Sequence, residues 1–359
     1  MFRTRFGSST NDNAGLYNKG GVSIKRSTPA EVASASTDVA AVTIKPWKRI
    51  VIPVIAVIAM VIIALFSLSG CGGSNTKAPG SSGSSSSSPA EPVSTKSVDD
   101  YTWEELSEIS EEISKEATEE DAIEIARKYN LVNSNGKLDG TQTKTVQLTD
   151  GTTATVQIAG FLHDDKISGG KAGITFIFKD AIAEHDMNPK RNLSGPGASA
   201  VKGSNAGGWE GSAMCAWLST EGLSMLPPDL ADRIVAVDKR TNNVGETADV
   251  SSVTTTSDKF WLFSRIEVYG VDKDSPAYDI CSAEGAEYKL FRDCNVGLNR
   301  NYQFLKDGFN VPESMGYWWL RSPDPSSGLY FYCVYSRDSG SWIDTEAYLS
   351  RGVVPGFCI

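Results

Sequence analysis

From Ile50 to Leu68 the chain is apolar and carries no charge. Helical rise is about 1.5 Å per residue, so about 19 such residues cross a hydrocarbon core of roughly 30 Å. The stretch predicts a transmembrane or signal-anchor helix over residues 50–70, with Pro53 tolerated in its first turn. The pattern then changes twice. Residues 72–98, rich in Ser, Gly and Pro, predict a disordered linker that buries too little to fold. Leu106, Ile109 and Ile113, and then Ala122, Ile123, Ile125, Ala126 and Tyr129, recur at helical spacing behind caps at Thr102 and Thr118. They predict short membrane-proximal helices over residues 99–135: a helical hairpin, a docking arm or, favoured here, a solvated spacer packed loosely on the main domain.

From residue 140 onward the period shortens. Thr143 to Leu148 and Thr153 to Phe161 alternate about Asp150-Gly151, a strong hairpin signal. Further strands are predicted at Gly173 to Phe178, Val235 to Lys239, Phe260 to Val268, Tyr317 to Leu320, Leu329 to Ser336 and Val353 to Ile359. Helices are predicted at Trp209 to Leu218 and Asp229 to Ile234. Two helices among many short strands argue an α+β domain over residues 140–359 rather than a parallel βαβ array.

Charge sets the orientation. Residues 1–49 form a basic, irregular tail with eight Lys and Arg against three acids, about +5. By the positive-inside rule this tail stays cytoplasmic and the C-terminal domain is extracellular, which predicts a single-pass protein of a bacterial cell membrane. The whole chain has a formal net charge of −10, which leaves about −15 for the remainder. Such a surface repels phosphate backbones, so nucleic-acid partners are not expected. The partners expected are the membrane, through residues 50–70, and an extracellular protein or glycan. Leu68-Ser69-Gly70-Cys71 also resembles a bacterial lipobox, which would make Cys71 a lipidation site. An uncleaved anchor remains the alternative.

Four ordered motifs carry a family resemblance: Gly207-Gly208-Trp209-Glu210-x-Ser212-Ala213-Met214, Asp258-Lys259-Phe260-Trp261-Leu262-Phe263-Ser264, Tyr317-Trp318-Trp319-Leu320-Arg321-Ser322-Pro323 and Ser350-Arg351-Gly352-Val353-Val354-Pro355-Gly356-Phe357. From about Val146 to Ile359 the chain resembles the bacterial family catalogued as domain of unknown function 6273, with which no activity is associated. Its closing pair of motifs is also similar to C-type-lectin-like and sulfatase-modifying-factor-like folds. Physically, Trp209, Trp261, Trp318 and Trp319 are core residues. Arg321 and Arg351 are structural, their guanidinium forks suited to capturing backbone carbonyls.

Candidate chemistry is sparse. Cys281 and Cys294 flank a short loop and are the favoured disulfide pair, while Cys333 and Cys358 lie on strands that could be neighbours. Cys215, on an apolar helix, reads as inert packing rather than a nucleophile. His163-Asp164-Asp165, Glu184-His185-Asp186 and the acids Asp272, Asp274 and Asp279 read as solvated turns; neither a metal nor a cofactor is expected. Tyr330, Tyr332, Tyr335, Asp338, Trp342, Asp344 and Tyr348 give the last strands the aromatic and hydrogen-bonding mixture of binding loops. The favoured expectation is a membrane-anchored extracellular binding module that uses those strands. The alternatives are a cell-envelope enzyme, oxidase-like through Cys333 and Cys358 or otherwise cysteine-dependent, and a structural envelope protein.

Overall fold

The computed structural model describes residues 94–189, 203–270, 273, 277–297 and 300–359. The predicted tail, the transmembrane stretch, Cys71, the linker as far as residue 93, Asp272 and Asp274 lie outside them. Among the described residues no helix is long and apolar enough to cross a membrane.

Structure begins before residue 98, where the linker was expected to end. Ser94 N donates to Lys128 O at 2.7 Å, Tyr101 Oη donates to Ser94 Oγ at 2.7 Å, and Val98 is buried. Helix α1 (Trp103–Ile113) starts with a reciprocal capping box between Thr102 and Glu105. Helix α2 (Glu119–Lys128) starts on Thr118, whose side chain accepts from Asp121 N. The apolar stripe Trp103, Leu106, Ile109 and Ile113 is buried in the main core, and the Trp103 ring meets Phe176 edge-on at 5.5 Å and Phe357 at 6.0 Å. The pair is therefore an integral layer of the fold and not a loosely packed spacer. The stripe is apolar enough to cover a sheet face that would otherwise be wet.

Twelve strands come next among the described residues. One five-stranded sheet has the order β1 (Thr143–Gln147), β2 (Thr153–Phe161), β3 (Ile174–Phe178), β12 (Pro355–Cys358) and β7 (Trp261–Leu262). A second has the order β10 (Trp342–Glu346), β9 (Tyr330–Val334), β8 (Trp318–Pro323), β11 (Arg351–Val353) and β4 (Ala183–His185). β5 (Val237–Asn242) and β6 (Val253–Asp258) form a separate ribbon. β11 and β12 are one extended run in which the buried Val354 is the switch between sheets. Phe357 sits opposite Phe176 on one side, and Gly356 sits opposite Trp261 on the other. Only glycine fits at 356, because a Cβ there would collide with the Phe263 ring.

The outer region is α+β, with more helix than the two segments expected. Among the described residues it holds α3 (Ala213–Trp217), α4 (Pro228–Ala231), α5 (Arg265–Tyr269), α6 (Tyr278–Ala283), α7 (Lys289–Asp293) and α8 (Gln303–Asp307). The four not expected, α5 to α8, are at most six residues long, too short for the 3.6-residue period to show. Phe260 to Val268, expected as one strand, is the short β7 followed by α5.

Replacing Trp103 by Ala is expected to cost about 3–5 kcal/mol in denaturant unfolding. A loss below about 1 kcal/mol would show that α1 is dispensable to the core.

Candidate functional site

The alternation of β5 places Val237, Lys239 and Thr241 on its buried face and Asp238 and Arg240 outside. A lysine on a buried face demands acceptors, and Lys239 Nζ finds three. They are Asp164 Oδ1 at 2.7 Å, Glu267 Oε1 at 2.8 Å and Tyr288 Oη at 2.9 Å. Its ammonium also lies 4.7 Å from the Trp261 ring centroid.

Each acceptor is delivered by local structure. Asp164 follows β2, where Leu162 takes φ +48°, a strained value for a leucine, and turns the chain inward. Glu267 is the third residue of α5, in a capping box with Ser264. Tyr288 packs against Gly160, where a Cβ would stand 3.2 Å from its ring, and its ring stacks on His163 at 3.6 Å.

The network extends until its donors are used up. Thr175 Oγ1 donates to Asp164 Oδ2 at 2.7 Å, Cys358 Sγ does so at 3.3 Å, and Tyr288 Oη donates to both Asp164 oxygens at 2.8 Å. The buried Arg321 forks onto Glu267, with Nη2 at 2.8 Å from Oε1 and Nη1 on Oε2. Its remaining donors reach Leu262 O at 2.8 Å, Arg240 O at 3.3 Å and Thr241 Oγ1 at 2.7 Å. All five guanidinium N–H groups and all three ammonium N–H groups are thus engaged. Burial opposes the ionisation of Glu267, but Arg321 and Lys239 outweigh it and hold the carboxyl at about 2. Asp164 is likewise depressed, burial being overcome chiefly by Lys239.

Above this floor opens a cavity of about 490 Å³, lined by Gly160 to Asp165, Asp238 to Arg240 and Glu284 to Ala286, together with Glu116, Glu119, Lys289 and Arg292. Glu284 is 3% exposed, with Asn242 N at 3.1 Å from one oxygen and the Ser322 hydroxyl on the other. Burial pushes its carboxyl up to about 7, against the opposing pull of Ser322 and Arg321. His163 is half-buried, and burial lowers its pKa, so the imidazole is neutral.

His163, Asp164 and Glu267 present ligand atoms within 4.8 Å of one another, the spacing of a metal site. Lys239 Nζ bonds both carboxylates, so an ammonium stands where an ion would have to go.

Residues 172–359, just over half of the chain, match the family model described as Domain of unknown function (DUF6273). The chain belongs to this family. No curated protein and no solved structure matches it. Of the network, Thr175, Lys239, Glu267, Tyr288, Arg321 and Cys358 fall in the DUF6273 region, while Asp164 comes from just before it and α1 and α2 from well before it.

Within the DUF6273 region Trp209, Trp261, Trp318 and Trp319 are fully buried. Arg321 captures two carbonyls and, beyond that, a buried carboxylate. Arg351 donates to Ser350 O at 3.0 Å and lies 4.7 Å over the Tyr317 ring. The aromatic hairpin divides. Tyr332 is buried beneath Trp342 (5.5 Å, edge-on), with the Arg265 guanidinium 4.0 Å from Trp342 and 5.0 Å from Tyr332. Tyr335 stacks on Tyr317 at 4.6 Å. Asp344 pairs opposite Tyr332, Tyr330 opposite Glu346, Asp338 is exposed, and Tyr348 packs beside Gly203.

Cys281 and Cys294 are not joined. Cys281 Sγ accepts from Arg265 Nη1 at 3.6 Å, and Cys294 Sγ points away to Leu138 O at 3.7 Å. Burial raises these thiols to about 11 and about 12. Cys215 is pushed up to about 12 by burial and Asp258. Glu184 is exposed, the His185 ring lies 5.0 Å from Trp217, and Asp279 is exposed on α6.

The two glutamates predict opposite pH effects. Glu267 is depressed from 4.5 to about 2, so its stabilisation, about 3 kcal/mol, is complete above pH 4.5 and lost as pH falls towards 2. Glu284 is raised from 4.5 to about 7, so its contribution of about 3 kcal/mol is complete below pH 4.5 and lost as pH rises through 7. Denaturant stability measured from pH 2 to 8 should therefore peak near pH 4.5. Glu267→Gln should cost about 3–5 kcal/mol at pH 7 by leaving buried cations unpaired, and Glu284→Gln should flatten the limb between pH 4.5 and 8.

Proposed function

We propose that the chain is a membrane-anchored binding module, held by residues 50–70, whose extracellular domain takes a small polar ligand in the cavity above Lys239. The observation that carries this reading is the cavity itself. Its volume of about 490 Å³ falls within the roughly 300–1,000 Å³ of small-molecule sites. Its floor is a saturated network that cannot rearrange without breaking buried ion pairs, which is the rigidity a binding site needs.

The lectin-like reading of the fold is supported by the parallel contact of β8 with β11, Gly352 opposite Trp318, which brings the two closing motifs together. An oxidase-like reading is disfavoured by the sulfur atoms. Cys333 and Cys358 are free and buried, on different sheets, and burial raises both well above the ordinary thiol value.

A second surface has one observation in its favour. Trp342 is 37% exposed on the β9–β10 hairpin, two residues from Asp344 and edge-on to Tyr332, where a protein or glycan could dock.

The two surfaces separate by mutation. A panel of sugars, amino acids and amines should contain a ligand that raises the unfolding temperature of the full-length protein. At about 100 Kd the stabilisation is about 2.7 kcal/mol. Ala286→Trp, which fills the exposed cavity mouth, should abolish that response and Trp342→Ala should leave it intact. The reverse pattern would move the site to the hairpin.

A further inference from the structure

The cavity's charges, paired off one by one, leave an excess of one sign. Lys171 is bound to Asp165 at 2.9 Å, and Arg292 to Glu119 at 2.6 and 2.8 Å. Lys289 is held by Asp293 at 3.0 Å. Among the described residues no ion pair reaches Glu116, Asp238 or Glu284, against a single unpaired guanidinium, the exposed Arg240.

The innermost of these carboxylates is Glu284, and its surroundings explain why it lacks a counter-ion. Facing it are Arg321 and Ser322 from β8, Glu267 from α5, Asn242 from β5 and Cys281 from its own helix. Arg321 has no N–H left to give, and Lys239 has none either. Glu284 thus receives one hydroxyl and one backbone N–H, two bonds for about four acceptor positions. The same saturation decides against an anionic ligand, which would find no free donor on either floor cation. The neutral His163 lines the same cavity, and among the described residues no hydrogen bond reaches its ring nitrogens. A hydroxyl or a second polar group has a partner there.

We infer that the cavity recognises a primary ammonium group seated against Glu284, with a second polar group of the ligand on His163; this rests on the cavity being the ligand site proposed above. The ammonium supplies the charge and the three donors that the protein's own cations withhold. An amino sugar and an aliphatic diamine share this chemistry.

Calorimetric titration of the full-length protein at pH 7 with D-glucosamine, N-acetyl-D-glucosamine and 1,4-diaminobutane tests it. At least one of the two amines should bind, and which one does distinguishes a sugar from an aliphatic source. The N-acetyl sugar, which has lost the charge, should bind at least about tenfold more weakly than glucosamine. Diaminobutane stays protonated throughout, so if it is the ligand its affinity should tighten about tenfold from pH 6 to pH 8 as Glu284 ionises. Glu284→Gln should weaken amine binding about tenfold or more while the protein stays folded by thermal melting. Equal binding of the acetylated sugar, or amine affinity indifferent to Glu284→Gln, overturns the assignment. So does the absence of any amine binding; if the variant misfolds, the pH series decides for diaminobutane and the N-acetyl comparison for glucosamine, both on the unmutated protein. If another polar compound still protects the protein and Ala286→Trp removes that protection, the cavity remains a binding site and only the ammonium falls.

Discussion

The arrangement depends on one constraint: an ammonium on the buried face of β5 must meet three acceptors at once. Asp164, Glu267 and Tyr288 come from three different segments, and Thr175, Cys358 and Arg321 tie in three strands more. Burying ions costs several kcal/mol each, and such clusters are often no more stabilising than well-packed hydrocarbon. What this one imposes is register. Sliding β5 by one residue would turn Lys239 out and bring Asp238 or Arg240 in. The first would set a third carboxylate beside Asp164 and Glu267, and the second would crowd a guanidinium into a slot shaped for an amine. Every strand that supplies a partner is fixed by the same requirement, and the cavity floor inherits that rigidity.

Glu267 and Glu284 show how one environment produces opposite acids. Both are almost wholly buried, so desolvation favours the neutral form of each. Glu267 has two cations in contact and is held at about 2. Glu284 lies in the same field, yet every donor of those cations is already committed, and it rises to about 7. The difference is one of hydrogen-bond stoichiometry, three and five donors against the acceptors available. The group left over also lines the cavity.

Much of the scaffold was legible in the chain, and the reason is local chemistry. The Asp150-Gly151 turn, the capping box at Thr102 and the four tryptophan- and arginine-bearing motifs all signal within a few residues. Ser264-Arg265-Ile266-Glu267 is a capping box of the same kind, S-x-x-E, and would have marked α5 had the apolar run Phe260 to Val268 not suggested a strand. Lys239 also left a trace, since it falls in phase with Val235 and Val237 on a predicted strand. Its partners were beyond reach, because Asp164 is 75 residues away and Arg321 meets Glu267 across 54. The tyrosines of the last hairpin misled for a different reason. Composition does not say which face a ring takes or what covers it, and Arg265, which covers Tyr332, lies on another element.

Cys358 sits in the same electrostatic field as the two glutamates. Its thiol donates to Asp164, so ionising it would set a second negative charge against a carboxylate already committed to Lys239, in a site from which water is excluded. Burial and Asp164 both push it far above the ordinary thiol value. Cys333, in the other sheet, is raised chiefly by burial. The low-dielectric interior that silences sulfur is the same one that leaves Glu284 half-ionised near neutrality. A thiol there can only lose by ionising, since no cation is free to receive it, whereas a carboxylate on the cavity wall can be met by a charge arriving from outside. Of these buried groups, Glu284 is therefore the one a charged partner can still meet, whereas the thiols of Cys333 and Cys358 are not poised for attack.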